Sequence, residues 1–421
     1  MPTRPTGFFR LLWPLALLGL ASCPPGAQEP SGGAAGPPGP PSAAALQALG
    51  ELQEGRFEEA YEAAGQAIDA APSDALARVV RAVAGYRGAL GRLHVEAFMQ
   101  IERLDREERI DHEAWRGIFE RLEQALGKIE DDLAVAAQDP ALAFDLCLAC
   151  WRVDWNRSGE IDESDRLLFQ IEVGADGEPL PPGDPRRKPT FRFDTGDVWW
   201  ARAMIAFQRA VLQIGLGYSW TDLDRLLFEN RGPEPTEFRL RVRDADRLRQ
   251  ARDLLLAGLD HAERARKEYL AETDDEREWV PNPRQLDHPM PLPVDAALYE
   301  TWGRIVGAVG RLLRSEEGLD VAEIAQLGDD RWDDPPRGFI DLGRFLSDPS
   351  DVVVNVEHVD AFDHEPSREA AEQILRDAFG AAYVPDMAPS SLVRELMRIK
   401  NEIETGSESF ERKLRYLLWL N

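Results

Sequence analysis

The chain has 421 residues, with 76 acidic against 49 basic side chains and a formal net charge of −27. That excess excludes binding of nucleic acid or anionic lipid through a basic surface, and it favours solubility and attraction of cations. Only three cysteines are present, Cys23, Cys147 and Cys150, too few to staple a body of this size.

The chain opens with Arg4 and Arg10, continues through an apolar run from Leu11 to Leu20, and reaches Leu20-Ala21-Ser22-Cys23. The run is about half of the ~20 apolar residues that a spanning helix needs, so it reads as a secretory signal rather than a permanent membrane helix. Its end resembles the lipobox of bacterial lipoproteins. That resemblance implies cleavage before Cys23, diacylation of its thiol and a place in the cell envelope. With residues 1–22 removed, the loss of Arg4 and Arg10 makes the mature chain two charges more negative. Pro24 stands where inner-membrane retention commonly uses aspartate, so the outer membrane is favoured over the inner. Residues 23–42, rich in Pro, Gly, Ala and Ser, cannot bury enough apolar surface to offset their ordering entropy. They read as a lipidated, disordered tether with a reach on the order of 60 Å.

From residue 43 onward the apolar residues recur mostly at helical spacing, and the expected fold is mostly α: an array of paired antiparallel helices. Residues 43–135 form the N-terminal helical region. Within it "GRFEEAYEAAGQAIDAAPSD", Gly55 to Asp74, places Ala60, Ala64 and Ala67 where paired helices approach and Pro72 where a unit ends. This stretch resembles the middle and second helix of a tetratricopeptide repeat. Ala44 and Gln47 stand where that family's first helix has large apolar anchors, and a generic Ala-rich hairpin accounts for the same pattern.

Residues 136–172 carry the motif with the most chemistry. In "VDWNRSGEIDESD" oxygen-bearing side chains fall at alternate positions around a glycine. The stretch resembles the calcium loop of an EF-hand. Asp154, Asn156 and Ser158 match its first, third and fifth positions, Gly159 its turn, Glu160 the carbonyl donor, Asp162 the ninth position and Asp165 the last. A hard cation takes six to eight oxygens, and a loop wound about it points alternate side chains inward. Ser158 and Asp165 replace the Asp or Asn and the bidentate Glu of the family pattern, which implies weak binding of the kind seen in extracellular modules, with calcium as the ion and magnesium a weaker substitute. The loop also resembles those of dockerins, which pair two such segments; this chain has one. "ALAFDLCLACWRV" is expected as the entering helix and "SDRLLFQIE" as the leaving one. Cys147 and Cys150 then share a helical face as small buried groups or an incidental disulfide; no βαβ pattern around them supports a redox site.

In the central helical region, residues 173–272, Asp197 to Leu216 is apolar almost all round, with Arg202, Arg209 and Gln213 on one stripe, and is predicted to be a buried helix. Asp194 and Asp197 precede it and read as its N-cap, with a role as secondary metal ligands the alternative. "WRVDWNRSGEID" followed by "FDTGDVWW" resembles a pairing in uncharacterised exported bacterial proteins and implies no activity. In the C-terminal helical region, residues 273–421, "DVVVNVEHV" (351–359) is the one predicted strand. His358, Asp360, Asp363 and His364 read as a polar turn after it, or as transition-metal donors. Leu392, Leu396, Ile399 and Ile403 mark a helix, and Phe410, Leu414, Leu417 and Leu418 a last one.

His112-Glu113 and His364-Glu365 both lack the second histidine of a zinc protease helix, and no nucleophile elbow, P-loop or dinucleotide fingerprint occurs. The expected function is therefore non-enzymatic: a calcium-stiffened scaffold that docks another envelope protein or its own copies and touches the membrane through its lipid alone. An envelope hydrolase with an acidic cleft is the alternative.

Overall fold

The computed structural model describes residues 41–107, 110–151, 153–154, 160–161, 170–172, 174, 178–221, 236–275, 277–286, 295–325, 334–364 and 367–405. The chain is mostly helical, as its periodicity predicts, with a few short strands pinning helix ends together. No helix among the described residues is long and apolar enough to cross a membrane.

The N-terminal part is a stack of hairpins. Helix α1 (Ala43–Gln53) begins at Ser42, whose hydroxyl accepts from Ala45 N at 3.1 Å. Gly55, at φ 73°, turns the chain into α2 (Phe57–Ala70), which buries Ala60, Ala64 and Ala67 almost completely. Small side chains there let the helices approach closely. Helix α3 (Ala75–Glu107) starts at Asp74, which accepts from Ala77 N and also from Ser42 N, both at 3.0 Å, tying the starts of α1 and α3 together. Helix α4 (His112–Ala136) folds back along α3, and its buried Asp132 is gripped by Arg78 and Arg81 of α3, each at 2.7 Å.

Strand β1 (Ala143–Leu146) pairs antiparallel with β2 (Phe191–Asp194), which runs directly into α5 (Thr195–Gly217). Helix α5 is the buried helix that its apolar character predicts, and its arginine stripe has a purpose. Glu123 and Glu130 of α4, seven residues apart, face Arg209 and Arg202 of α5, also seven apart, with contacts of 2.9 Å in both pairs. One heptad further along, Arg116 donates to the Leu216 and Tyr218 carbonyls, each at 2.6 Å. Gln213 accepts from Arg247 of α6 (Ala245–Ala271) at 2.9 Å. Helices α5 and α6 pack antiparallel at very short range. A Cβ on Gly258 would lie 2.6 Å from the Phe207 ring, and one on Gly217 would lie 2.7 Å from Leu248, so both positions require glycine.

Beyond this pair lies a second core. Strand β3 (Glu237–Leu240) precedes α6, and α7 (Ala296–Leu313), β4 (Leu319–Asp320) and α8 (Val321–Ala325) follow it. Next come β5 (Phe339–Ile340), α9 (Leu342–Ser347), β6 (Val352–Asn355), α10 (Val356–His364), α11 (Arg368–Phe379), β7 (Tyr383–Val384) and α12 (Leu392–Thr405). Strands β4, β5 and β7 form one small sheet and β3 with β6 another. Leu312, Leu319, Ile340 and Leu392 are fully buried among them. Helix α12 is the one that Leu392, Leu396, Ile399 and Ile403 predict; the helix predicted around Phe410 to Leu418 lies outside the described residues.

Three local expectations need correction. The segment read as the entering helix of the calcium loop is strand β1 followed by a 3-10 turn at Leu148–Cys150. Phe144 and Leu146 alternate inward, the strand pattern, and Phe144 stacks on Phe193 of β2 at 5.5 Å; a run this short fits either period, and the partner strand decides. Cys147 and Cys150 close the turn as a disulfide, not as groups on a helical face. Strand pairing is also wider than the single predicted strand: only Val352–Asn355 of that segment is strand, and the polar turn expected after it is helix α10, started by Asn355 Oδ1 accepting from Glu357 N at 3.0 Å. In α10, His358 Nδ1 lies 2.6 Å from Asp377 Oδ2; the side chains of Asp360, Asp363 and His364 lie outside the described residues.

Candidate functional site

Of the side chains predicted to hold calcium, Asp154 is half-buried and Glu160 exposed; Asn156, Ser158, Asp162 and Asp165 lie outside the described residues. The site that the structure does build sits where α5 begins and α6 ends.

Asp194 and Asp197 form a reciprocal capping box. Asp194 Oδ1 accepts from Gly196 N at 2.6 Å, and Asp197 Oδ2 accepts from Asp194 N at 2.9 Å, satisfying donors that a helix start leaves free. The capping reading of these two residues is therefore correct, but capping is not all that Asp194 does. Antiparallel packing brings the end of α6 to the same place. Tyr269 donates its hydroxyl to Asp197 Oδ1 at 2.9 Å, and Glu272, just past the helix, turns its carboxyl toward Asp194. Oxygens of Asp194, Glu272 and the buried Glu278 all lie within 4.8 Å of one another.

The loop after α6 holds this assembly. Asn282 Nδ2 donates to the Tyr269 and Glu272 carbonyls at 2.8 and 3.2 Å, capping the helix end, and Gln285 Nε2 donates to Glu272 Oε2 at 3.1 Å. Glu272 Oε1 is buried with no hydrogen-bond donor in reach among the described residues.

Such crowding controls protonation. Burial first, and the Asp194 carboxylate second, push the Glu272 carboxyl up to about 10. Burial, again with Asp194 behind it, also holds Asp197 well above the usual carboxylate range. The Tyr269 and Tyr299 hydroxyls are raised for the same leading reason, with Asp197 adding to the first and Glu272 to the second. Near neutral pH Glu272 and Asp197 therefore hold protons that isolated carboxyls would have lost.

Against α5, on the side of Asp194 and Asp197, lies a cavity of about 280 Å³ bounded by α3, α4, β1 and β2. Its walls are almost wholly apolar, with Trp200 and Trp279 among them.

No family model, no curated protein and no solved structure matches the chain. Asp194 and Asp197 were legible in the sequence as a cap. Tyr269, Glu272, Glu278, Asn282 and Gln285 lie more than seventy residues further on, and no spacing joins them to the cap; the antiparallel α5 and α6 pair does so only in three dimensions.

Proposed function

We propose that the chain is a lipid-anchored protein of the bacterial envelope that serves as a helical interaction scaffold, with calcium held for structure by the loop from Asp154 to Asp165. The observation that carries the docking role is the far end of α3. Val95, Phe98, Met99 and Ile101 are each 44 to 54% exposed there; Val95 stands three and four residues from Phe98 and Met99, and Phe98 three from Ile101, so they neighbour one another along the helix surface. Exposed apolar residues gathered this way mark contact surfaces more often than isolated ones do. The occupant is another envelope protein or a second copy of the chain.

Replacing Phe98 and Met99 together by Asp is expected to remove whatever copurifies with the detergent-extracted protein, or to reduce its oligomeric state. The melting temperature should stay nearly unchanged, because both side chains already face solvent. A partner retained at equal yield would sink the assignment of that surface.

Calcium's part in this reading is tested by a thermal melt in chelator and then in millimolar calcium. An ion that binds only the folded chain, at a hundredfold excess over Kd, stabilises it by ~2.7 kcal/mol. Asp154→Ala is expected to abolish most of the shift, Asp162→Ala less, since that position is often bridged by water, and Asp165→Glu should tighten binding by restoring a bidentate reach. Magnesium should give a smaller shift, because it keeps its waters. Identical melts with and without calcium would leave the loop with no ion.

The hydrolase reading draws on the convergence of Asp194, Glu272 and Glu278. A general acid works best with a pKa near the working pH, and Glu272 is carried to about 10. Asp197, for its part, is committed to the cap and to Tyr269. The scaffold reading therefore takes precedence.

A further inference from the structure

The cavity beside α5 is a second feature, independent of the α3 surface. One face of α5, Asp197, Ala201, Met204 and Gln208, runs along it at spacings of four, three and four. The eleven steps from Asp197 to Gln208 span ~16 Å at 1.5 Å per residue, so the space is elongated along the helix. Val79 and Val83 of α3 and Ile129 and Leu133 of α4 form the opposite wall. Its volume, about 280 Å³, stands near the lower end of small-molecule sites, ~300 Å³.

The two ends differ in chemistry. At one, Tyr86 and Gln208 hydrogen-bond each other, with Gln208 Nε2 donating to the tyrosine oxygen at 3.0 Å. At the other are Asp194 and Asp197, backed by Glu272 and Glu278 behind Asp194. Phe193 and Trp279 stack at 5.5 Å beside Asp194, adding aromatic surface at the acidic end. No basic side chain is among the described lining residues. A helix start ordinarily attracts anions, but Asp194 already occupies this one and takes its free N–H groups. An anionic ligand would therefore meet the acidic end with no basic partner, whereas a cation gains from Asp194 and the ring faces.

We propose that this cavity binds an elongated apolar molecule carrying a protonated amine at one end, the amine paired with Asp194 and the apolar body lying along Ala201 and Met204. A test compares 4-phenylbutylamine with its uncharged and anionic counterparts, 4-phenylbutanol and 4-phenylbutyrate. Titration calorimetry on the full lipidated chain in lipid nanodiscs, with empty nanodiscs as reference, reads the affinities. Enough salt is added to screen the diffuse attraction of a chain of charge −27 for any cation. The amine is expected to bind one to one and about tenfold more tightly than the alcohol, with the carboxylate weakest.

Asp194→Asn keeps a capping oxygen but removes the charge, and should bring the amine down to the alcohol's affinity. Ala201→Trp should abolish binding of both by filling the space; should it fail to fold, Val83→Phe fills the same space from α3. Absence of saturable one-site binding in the millimolar range, a carboxylate that binds as well as the amine, or an amine preference that survives Asp194→Asn would each overturn the proposal.

Discussion

Glu130→Leu alone is expected to destabilise the protein by about 3–5 kcal/mol, and Glu130→Leu combined with Arg202→Met to recover most of that loss. The Arg202 and Glu130 side chains are only 8% and 17% exposed and meet at 2.9 Å between α4 and α5. Removing one partner leaves the other charge buried and unpaired, which is the expensive state; replacing both by apolar groups of similar volume is close to neutral or stabilising. Arg202 also lies over the Trp199 ring, 4.5 Å from its centroid, so methionine retains a flexible apolar contact with that face. The pair is imperfect as it stands: Arg202 Nη1 and Glu130 Oε2 are both buried without a hydrogen-bond partner among the described residues. That imperfection strengthens the expectation for the double variant, because two unsatisfied polar atoms disappear with the charges. Urea denaturation of the four chains of this cycle gives the coupling directly. A double variant as unstable as Glu130→Leu would mean that the pair itself, rather than the orphaned charge, supplies the stability.

The same helix shows how much of the fold could be read in one dimension. Helix α5 was legible because it is apolar almost all round, and its stripe of Arg202, Arg209 and Gln213 was legible because helical spacing needs no partner. Their counterparts were not. Glu123 and Glu130 sit in an ordinary charged helix some seventy to ninety residues earlier, and only the match of two seven-residue intervals in three dimensions joins them to α5. Strand β1 failed for a different reason: four residues, Ala143 to Leu146, are too few to distinguish a period of 2 from one of 3.6, so tertiary pairing with Phe191–Asp194 decided it. The site divides in the same way. A capping box is a local device, and Asp194 and Asp197 announced it. Asp197 is raised by its burial, and Tyr269 reaches it because α5 and α6 pack closely at Gly217 and Gly258, whose lack of a side chain signals contact without naming the partner.

Stability is expected to fall as pH rises from about 5 to 9, and Glu272→Gln to flatten a distinct part of that fall. The Glu272 carboxyl is raised from its ordinary value of 4.5 to about 10, by burial first and by Asp194 second. Its proton is therefore held in the folded chain and lost from the unfolded one throughout the interval between those values. The unfolded state binds fewer protons there, so the stabilisation is fully present below 4.5 and drains away as pH climbs toward 10. One proton of difference corresponds to at most ~1.4 kcal/mol per pH unit, and Glu272 is only half-buried, so solvent at its edge reduces the slope to a fraction of that. Asp197 is raised for the same leading reason and contributes in the same direction, but replacing it would also remove the cap that Asp194 N requires. Glutamine at 272 avoids that confusion: its amide can donate to Asp194 and still face Gln285, and it has no proton to lose. Urea midpoints at pH 5, 7 and 9 should then separate, with the variant gaining on the parent as pH rises and the two nearly equal at pH 5. Parallel curves would mean that Glu272 ionises normally in the folded chain.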